Sequence, residues 1–455
     1  MKTVFLIVSK AVIRRNIYDT DFWQTFLDNT GGMQKVLIVP PDDVENITEA
    51  FGDTNVVVEA YQKVSWHLWS KFVMFLVRAG VNSHSTLVYR KRAYARKTAG
   101  VIQSYIKGFV AHTLGSSNTG KHLVRVLVAY LPTSQPLKDL FEQYKPSAIF
   151  APSLIDTDFD VPISIEARKR GIKVVGMVRS WDNLNNHGLL PFVPDHFIVQ
   201  NSWLIEAAQK FQAISKKNLP KDVVGLPHYD IYFDPSKYLK PREEFMEHFG
   251  LDPNKRFVLL GGSDFYYSED VLPKLLDDAI EKEEIQKPLQ VVFRPHPASL
   301  FSHSDYGLDE LSHVKLDDAF SGKKKFSDTE KFVNLIFHAD IVINISSTLS
   351  VDAAVFDTPA ICVKFDDPNR KLSYYEKVDR LYDMFDHYER LVSTGGVRTP
   401  ESPEALIHTI NEYLEDSTLD STGRKKIVEE FVSPFDGQAG KRLGEIVSEY
   451  VIENK

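Results

Sequence analysis

Two short segments in the second half of this 455-residue chain carry side chains suited to holding a phosphate. In the first, the apolar strand-like run Val291-Val292-Phe293 leads into Arg294-Pro295-His296-Pro297, so a guanidinium and an imidazole alternate with two prolines. Proline fixes its own φ near about −65° and restricts the residue before it, leaving Arg294 and His296 extended with little backbone entropy to lose. Arginine is a bidentate phosphate ligand, and histidine donates a hydrogen bond to a phosphate or protonates a departing oxygen. In the second, the apolar run Ile341–Ile345 enters Ser346-Ser347-Thr348 and then the helical pattern Leu349–Ala354. A strand followed by hydroxyls and a helix start gathers N–H groups and side-chain oxygens where the helix dipole is positive, a phosphate cradle without glycines. Each segment has a structural alternative: a histidine beside proline that only packs, and a serine that only caps a helix.

Three further loops hold candidates. Gly261-Gly262-Ser263-Asp264 follows an apolar run and is permissive enough to let backbone approach a ligand, or it is an ordinary turn. Arg179-Ser180-Trp181-Asp182-Asn183-Leu184 follows the run Val174–Val178; Asp-Asn is a common turn pair, while Trp181 beside it suits stacking on a sugar. Asp156-Thr157-Asp158-Phe159-Asp160 precedes a helix, so one carboxylate caps it while another faces outward, unless the three form a solvated loop or a metal site.

All of these loops follow strand-like runs, and the elements that position them alternate along the chain. Val4–Val8, Val36–Val39 and Asn55–Val58 read as strands with helices at Asp21–Leu27 and Val44–Phe51 between them. The alternation resumes at the helix Leu137–Tyr144, the strand Ala148–Ala151, the helix Ile163–Arg170, the strands Val174–Val178 and His196–Val199 and the helix Trp203–Phe211. It begins again with strands at Phe257–Leu260, Gln290–Phe293, Ile341–Ile345 and Ala360–Val363. Such alternation predicts βαβ units and parallel sheets. Gly225, Pro227, Pro235 and Pro241 mark a linker, which places a domain boundary near Pro235 and divides the chain into 1–234 and 235–455. The expected fold is α/β, with two Rossmann-like parallel-sheet domains facing a central cleft and helices at the C-terminus. In open sheets of this kind ligands bind outside the carboxyl ends of the strands.

Composition agrees with a globular protein: 43% hydrophobic and 25% charged residues, with neither glycine nor proline enriched. A single cysteine, Cys362, excludes an intramolecular disulfide and a cysteine-based zinc cage, and a reducing, cytoplasmic compartment is expected. Val4–Val8 reads as a first strand rather than a signal peptide, and no run reaches the ~18 residues of a membrane span. The formal net charge of −8 argues against a dedicated nucleic-acid binder. It conceals a stretch between Glu59 and Asp139 that has twelve Lys or Arg and no acid. Within it Trp66, Trp69, Val73 and Leu76 recur at helical spacing, Phe72 and Phe75 widen the face, and the cluster Arg90–Lys97 follows. A helix on an anionic membrane surface has these features, and so does a buried helix followed by a solvated basic one.

Arg294-Pro295-His296-Pro297, the later Ser346-Ser347-x-x-Ser350-x-Asp352-Ala353 and then Asp357-Thr358-Pro359-Ala360 together resemble the donor-binding domain of two-domain GT-B glycosyltransferases. The similarity is to the branch of capsule, polysialic-acid and Kdo transferases and the CDP-glycerol glycerophosphotransferases. It runs from about Phe257 to the end, where Phe435-Asp436-Gly437-Gln438-Ala439 resembles the closing segment of that branch. The resemblance implies that 235–455 binds a nucleotide donor and 1–234 the acceptor. It implies that His296, Ser346 and Ser347 hold the donor phosphate and that Gly262 and Ser263 border the donor pocket; by residue type and position Arg294 and Thr348 are expected to join the phosphate site, and Trp181, Asn183 and Asp352 the cleft. A transferase of this type needs a base at the acceptor hydroxyl, for which Asp156 and Asp158 are candidates, with Asp182 a further catalytic carboxylate. It implies a metal-independent enzyme without a cofactor beyond the nucleotide-activated sugar. The acceptor is then a surface glycan or lipid-linked glycan, reached by a cytoplasmic protein with peripheral membrane contact through 60–138. A CDP-polyol polymerase, a nucleotide-sugar 2-epimerase and a non-catalytic nucleotide-sugar-binding subunit are the alternatives.

Overall fold

The computed structural model describes residues 2–63, 66–155, 158–248, 250–262, 271–296, 307–317 and 329–453. The chain divides into two compact units, Met1–Phe233 with Glu430–Lys455, and Asp234–Glu429.

The first unit is built on seven strands: β1 (Thr3–Ile7), β2 (Gln34–Val39), β3 (Val56–Ala60), β4 (Ala148–Ala151), β5 (Lys173–Met177), β6 (His196–Val199) and β7 (Asp222–Val223). Their order is β3-β2-β1-β4-β5-β6-β7 and every pair is parallel. The central strand is a continuous apolar run because helices cover both faces of a parallel sheet. Val4, Phe5, Leu6 and Ile7 are fully buried, each contributing about 1.5–3 kcal/mol relative to exposure. Phe5 pairs with Val36 on one side and Ile149 on the other. Between β3 and β4 lies an insertion of four helices, Leu68–Ala79, His84–Ala95, Val101–Thr113 and Asn118–Ala129, followed by Gln135–Tyr144.

The last helix, Ala439–Ile452, packs on the helix Asp21–Asn29 in this unit. Leu443, Val447 and Val451 join a core with Phe22, Phe26 and Phe150. Gly440 and Gly444 face the partner helix so closely that a Cβ would lie 2.8 Å from Thr20 Oγ1 and 2.8 Å from Thr25 Cβ, respectively. Asp230 accepts hydrogen bonds from the N–H groups of Ala439 (3.0 Å) and Gly440 (2.8 Å) and so caps the helix start. The second domain expected at 235–455 thus ends at Glu429, and the remainder returns to the first unit. The amphipathic pattern gave no indication of which sheet the helix would cover.

The second unit carries β8 (Arg256–Gly261), β9 (Leu289–Arg294), β10 (Val314–Leu316), β11 (Ile341–Asn344), β12 (Ala360–Cys362) and β13 (Val397–Arg398). Their order is β10-β9-β8-β11-β12-β13, again wholly parallel. At its amino edge Asp340 accepts from Arg242 (2.9 Å), Arg256 (2.7 Å) and the Phe257 N–H (2.9 Å), which ties the segment after Asp234 to the sheet. Among the described residues no helix is long and apolar enough to cross a membrane.

His228 is largely enclosed beside Tyr229, and burial together with Arg15 lowers its pKa to about 3. Its folded-state pKa lies below the ~6.5 of an unfolded histidine, so as pH falls from about 6.5 the unfolded chain takes up a proton that the folded chain refuses. Burial lowers His338 in the same direction. Stability is therefore expected to decline progressively between pH 6.5 and about 3, and His228→Phe to flatten that decline. Melting temperatures across the range test this; identical slopes for both proteins would contradict it.

Candidate active site

In the second unit, β8 lies between β9 and β11, so the chain leaves all three strands at one edge of the sheet. Gly261 pairs with Arg294 at that edge, and the Gly262 N–H donates to the Arg294 carbonyl at 2.8 Å. A Cβ on Gly262 would sit 2.9 Å from His296 N and 3.0 Å from Pro295 Cα; one on Gly261 would sit 2.5 Å from Leu349 Cδ2. Bare backbone at Gly262 lets the Arg294–His296 loop close on the end of β8, and Gly261 leaves room there for the Leu349 side chain at the start of the helix Leu349–Val355. The loop after β9 and the helix that follows the Ser346–Thr348 turn therefore both approach this pair of glycines.

The Ser346–Thr348 turn is held from within. Asn344, fully buried at the end of β11, accepts from the Ser347 N–H (3.1 Å) and donates to Ser350 Oγ (2.9 Å). Tyr388 Oη donates to the Ser347 carbonyl (3.1 Å), and Tyr382 Oη accepts from the Ser346 N–H (3.0 Å). Burial pushes the Tyr388 phenol and the neighbouring Cys362 thiol up, which keeps both protonated. Ser347 Oγ accepts from the Leu349 N–H at 3.3 Å, a local turn bond just ahead of the helix. The Ser346 and Ser347 N–H groups are thus taken by Tyr382 and Asn344, unlike the open cradle expected from the sequence. The hydroxyls of the half-buried Ser346 and exposed Thr348 take no hydrogen-bond partner among the described residues. Ser346 has φ +48°, a left-handed conformation that costs a non-glycine residue about 1 kcal/mol or more and is held here by its surroundings.

Arg294 is engaged by its own domain. Its guanidinium pairs with the buried carboxylate of Asp317, which also takes Lys331 at 2.5 Å, and lies over the Phe332 ring at 4.7 Å. This triad fixes the end of β9 and leaves positive charge beside it. His296 follows at the edge, half-buried. Asp352 is buried in the first turn of Leu349–Val355.

In the first unit, Asp158 follows β4 and has a half-exposed carboxylate that accepts from Trp66 Nε1 (3.2 Å) and Arg78 Nη2 (3.3 Å). Both partners come from the helical insertion. Asp160, by contrast, is fully buried and accepts from the Ser153 N–H at 3.1 Å. After β5, Asp182 accepts from Asn183 Nδ2 (3.0 Å) and Asn186 Nδ2 (2.7 Å), while the buried Asn183 accepts from the Ser180 N–H (3.1 Å). These bonds shape the turn. Trp181 packs edge-on against Phe431 at 4.8 Å, and its carbonyl accepts from Trp203 Nε1 at 2.9 Å. Asp156 and Ser263 lie outside the described residues. Among those that are described, no three His, Cys, Asp or Glu gather in a metal-binding group.

Sequence reasoning did not single out Asn344, Tyr382 and Tyr388, which organise the hydroxyl turn, or Trp66 and Arg78 as partners of Asp158. Asn344 had a signal, a polar residue ending an otherwise apolar strand. The tyrosines and Arg78 had none, being brought in from distant positions.

No family model matches the chain, and no curated protein sequence does. Solved structures match its fold. A glycosyltransferase from Rickettsia africae aligns at TM-score 0.52 and 10% identity over 100% of this chain and 99% of its own. A UDP-GlcNAc 2-epimerase from Neisseria meningitidis, bound to UDP-GlcNAc, aligns at 0.53 and 11% over 100% of both chains. The wall teichoic acid polymerase TagF aligns at 0.51 and 11% over 99% of this chain and 89% of its own. The likeness is one of fold: two Rossmann-like α/β domains of the GT-B class.

Proposed function

We propose that this protein is a glycosyltransferase that moves a sugar from a nucleotide-activated donor to a surface glycan or lipid-linked acceptor on the cytoplasmic side of a membrane. The observation that carries the reading is the approach of the Arg294–His296 loop to Gly262 and of Leu349, which directly follows the Ser346–Thr348 turn, to Gly261. Structures of like fold hold UDP-GlcNAc in one case and were soaked with CDPG in another, which supports an anionic, nucleotide-linked ligand.

In this scheme the acceptor oxygen forms a bond to the anomeric carbon as the bond from that carbon to the donor phosphate breaks. His296 donates to the departing phosphate, and the Ser346 and Thr348 hydroxyls bind its oxygens. Gly262 lets the backbone come close, Asp352 borders the donor pocket, and Ser263 is assigned to it on the sequence alone. Arg294 positions the end of β9 and adds positive potential. Asp158 receives the acceptor proton; Asp156 is the neighbouring alternative, and Asp182 with Asn183 and Trp181 shapes the acceptor side. Preorganised donors at a developing negative charge, together with alignment of the two substrates, supply the acceleration.

A donor panel tests the proposal. Nucleotide release with a lengthened glycan, undiminished by EDTA, supports glycosyl transfer. CMP release with phosphate incorporation supports a polyol-phosphate polymerase instead, donor isomerisation without acceptor an epimerase, and binding without turnover a non-catalytic subunit.

The left-handed Ser346 gives a second expected outcome. Ser346→Gly relieves backbone strain and is expected to hold or raise stability by up to ~1 kcal/mol, because the added flexibility of glycine offsets part of the gain. It nonetheless removes a phosphate-binding hydroxyl, so transfer falls. Thermal melts and turnover of the same preparation check this, and full activity in the variant would argue against a role for the hydroxyl.

A further inference from the structure

The helical insertion leaves apolar surface uncovered. On the helix Val101–Thr113, Val101, Ile102, Tyr105, Ile106 and Phe109 are between 48% and 75% exposed, and only Val110 and Ala111 are buried. Their spacing puts them on one broad face. The helix Leu68–Ala79, against which it packs, buries Val73, Met74, Leu76 and Val77 and exposes Leu68 (88%), Trp69 and Phe72. The face anticipated from Trp66, Trp69, Val73 and Leu76 is therefore split. Trp66 precedes the helix and is buried against Asp158, Val73 and Leu76 are core, and the outward side belongs to Trp69 and Phe72, whose rings lie 5.7 Å apart. Soluble proteins seldom line a helix face with this many exposed large apolar side chains without a partner.

Charge identifies the partner. No acidic residue occurs from 60 to 138, so neither exposed face carries a carboxylate. Lys71 is exposed beside Trp69 and Phe72, whereas Lys107 is half-buried on the side of its helix that carries Val110 and Ala111. Burial, and then Arg78 and Arg90 nearby, depress its ammonium, so the cationic groups of this region crowd together with no carboxylate among them. An anionic bilayer satisfies both features: aliphatic and aromatic groups enter the acyl boundary while lysine stems reach up to lipid phosphates.

We propose that the outward faces of Leu68–Ala79 and Val101–Thr113 seat this protein on an anionic membrane leaflet without crossing it. The proposal is independent of the catalytic reading, since vesicle binding requires no turnover. Co-sedimentation of the full chain with phosphatidylcholine vesicles, plain or doped with phosphatidylglycerol, tests it. Binding is expected on the doped vesicles, at least about tenfold stronger than on plain ones and weakened by salt. The double variant Ile102→Gln, Phe109→Gln is expected to lose about tenfold or more with an unchanged melting temperature, because both side chains are exposed. No binding to doped vesicles would overturn the proposal, as would undiminished binding by the double variant. A chain that dimerises through these residues and ignores vesicles would assign the face to a second copy instead.

Discussion

His296→Ala lowers transfer about 10²–10⁴-fold and leaves the melting temperature unchanged, the range by which a positioned acid or hydrogen-bond donor accelerates a reaction. The imidazole sits half-buried in the loop after β9, outside the sheet core, so truncation opens no core cavity. Its backbone is fixed by Pro295 on one side and by the close approach of Gly262 on the other, with 2.9 Å between its nitrogen and the position of a Cβ there. The side chain is thus aimed by local chain stiffness, and its loss is expected in kcat more than in donor KM. His296→Gln keeps a donor but no titratable proton, and partial recovery in that variant separates hydrogen bonding from proton donation. Wild-type turnover in His296→Ala would remove the imidazole from the mechanism.

Asp158→Asn produces a second large loss, again about 10²–10⁴-fold, because an amide accepts a hydrogen bond but cannot take the acceptor proton. Trp66 Nε1 and Arg78 Nη2 both donate to Oδ1 of the carboxylate, at 3.2 Å and 3.3 Å, and an amide oxygen in that place keeps both bonds, so the fold tolerates the change. Nucleotide affinity is expected to stay at the wild-type value while kcat falls. Asp182 provides the contrast. Its oxygens are occupied by the Asn183 and Asn186 amides, so Asp182→Asn disturbs the turn and is expected to lower the melting temperature as well as activity. Thermal-shift titration with nucleotide, measured beside turnover, distinguishes the two carboxylates. A full-rate Asp158→Asn would transfer the role to another acid.

Much of the fold could be read from hydrophobic runs because buried parallel strands tolerate little else. Val4–Val8 and Ile341–Ile345 are such runs, and both mark central strands. The strands that escaped notice, Asp222–Val223, Val314–Leu316 and Val397–Arg398, are two or three residues long and lie at sheet edges or beside them, where one neighbour suffices and polar side chains are tolerated. The insertion was harder. Helices with apolar residues on most sides give no periodic guide to which side faces inward, and the inward side of Leu68–Ala79 was settled by the other helices of the insertion. The return of Ala439–Ile452 to the first unit was equally silent, since it depends on Asp230 and on two glycines meeting a helix near the opposite end of the chain. The candidate site was legible in its loops but not in its supports. Proline-flanked and hydroxyl-rich segments advertise themselves, whereas Tyr382, Tyr388 and Asp317 acquire their roles only through tertiary contact.

The most direct measurement is a crystal structure of the protein with a nucleoside diphosphate. A phosphate group within hydrogen-bond distance of both the His296 imidazole and the Ser346 or Thr348 hydroxyl, over Gly262, is the predicted result. Nucleotide bound with its phosphates touching only one of those loops, or bound elsewhere on the chain, would contradict it.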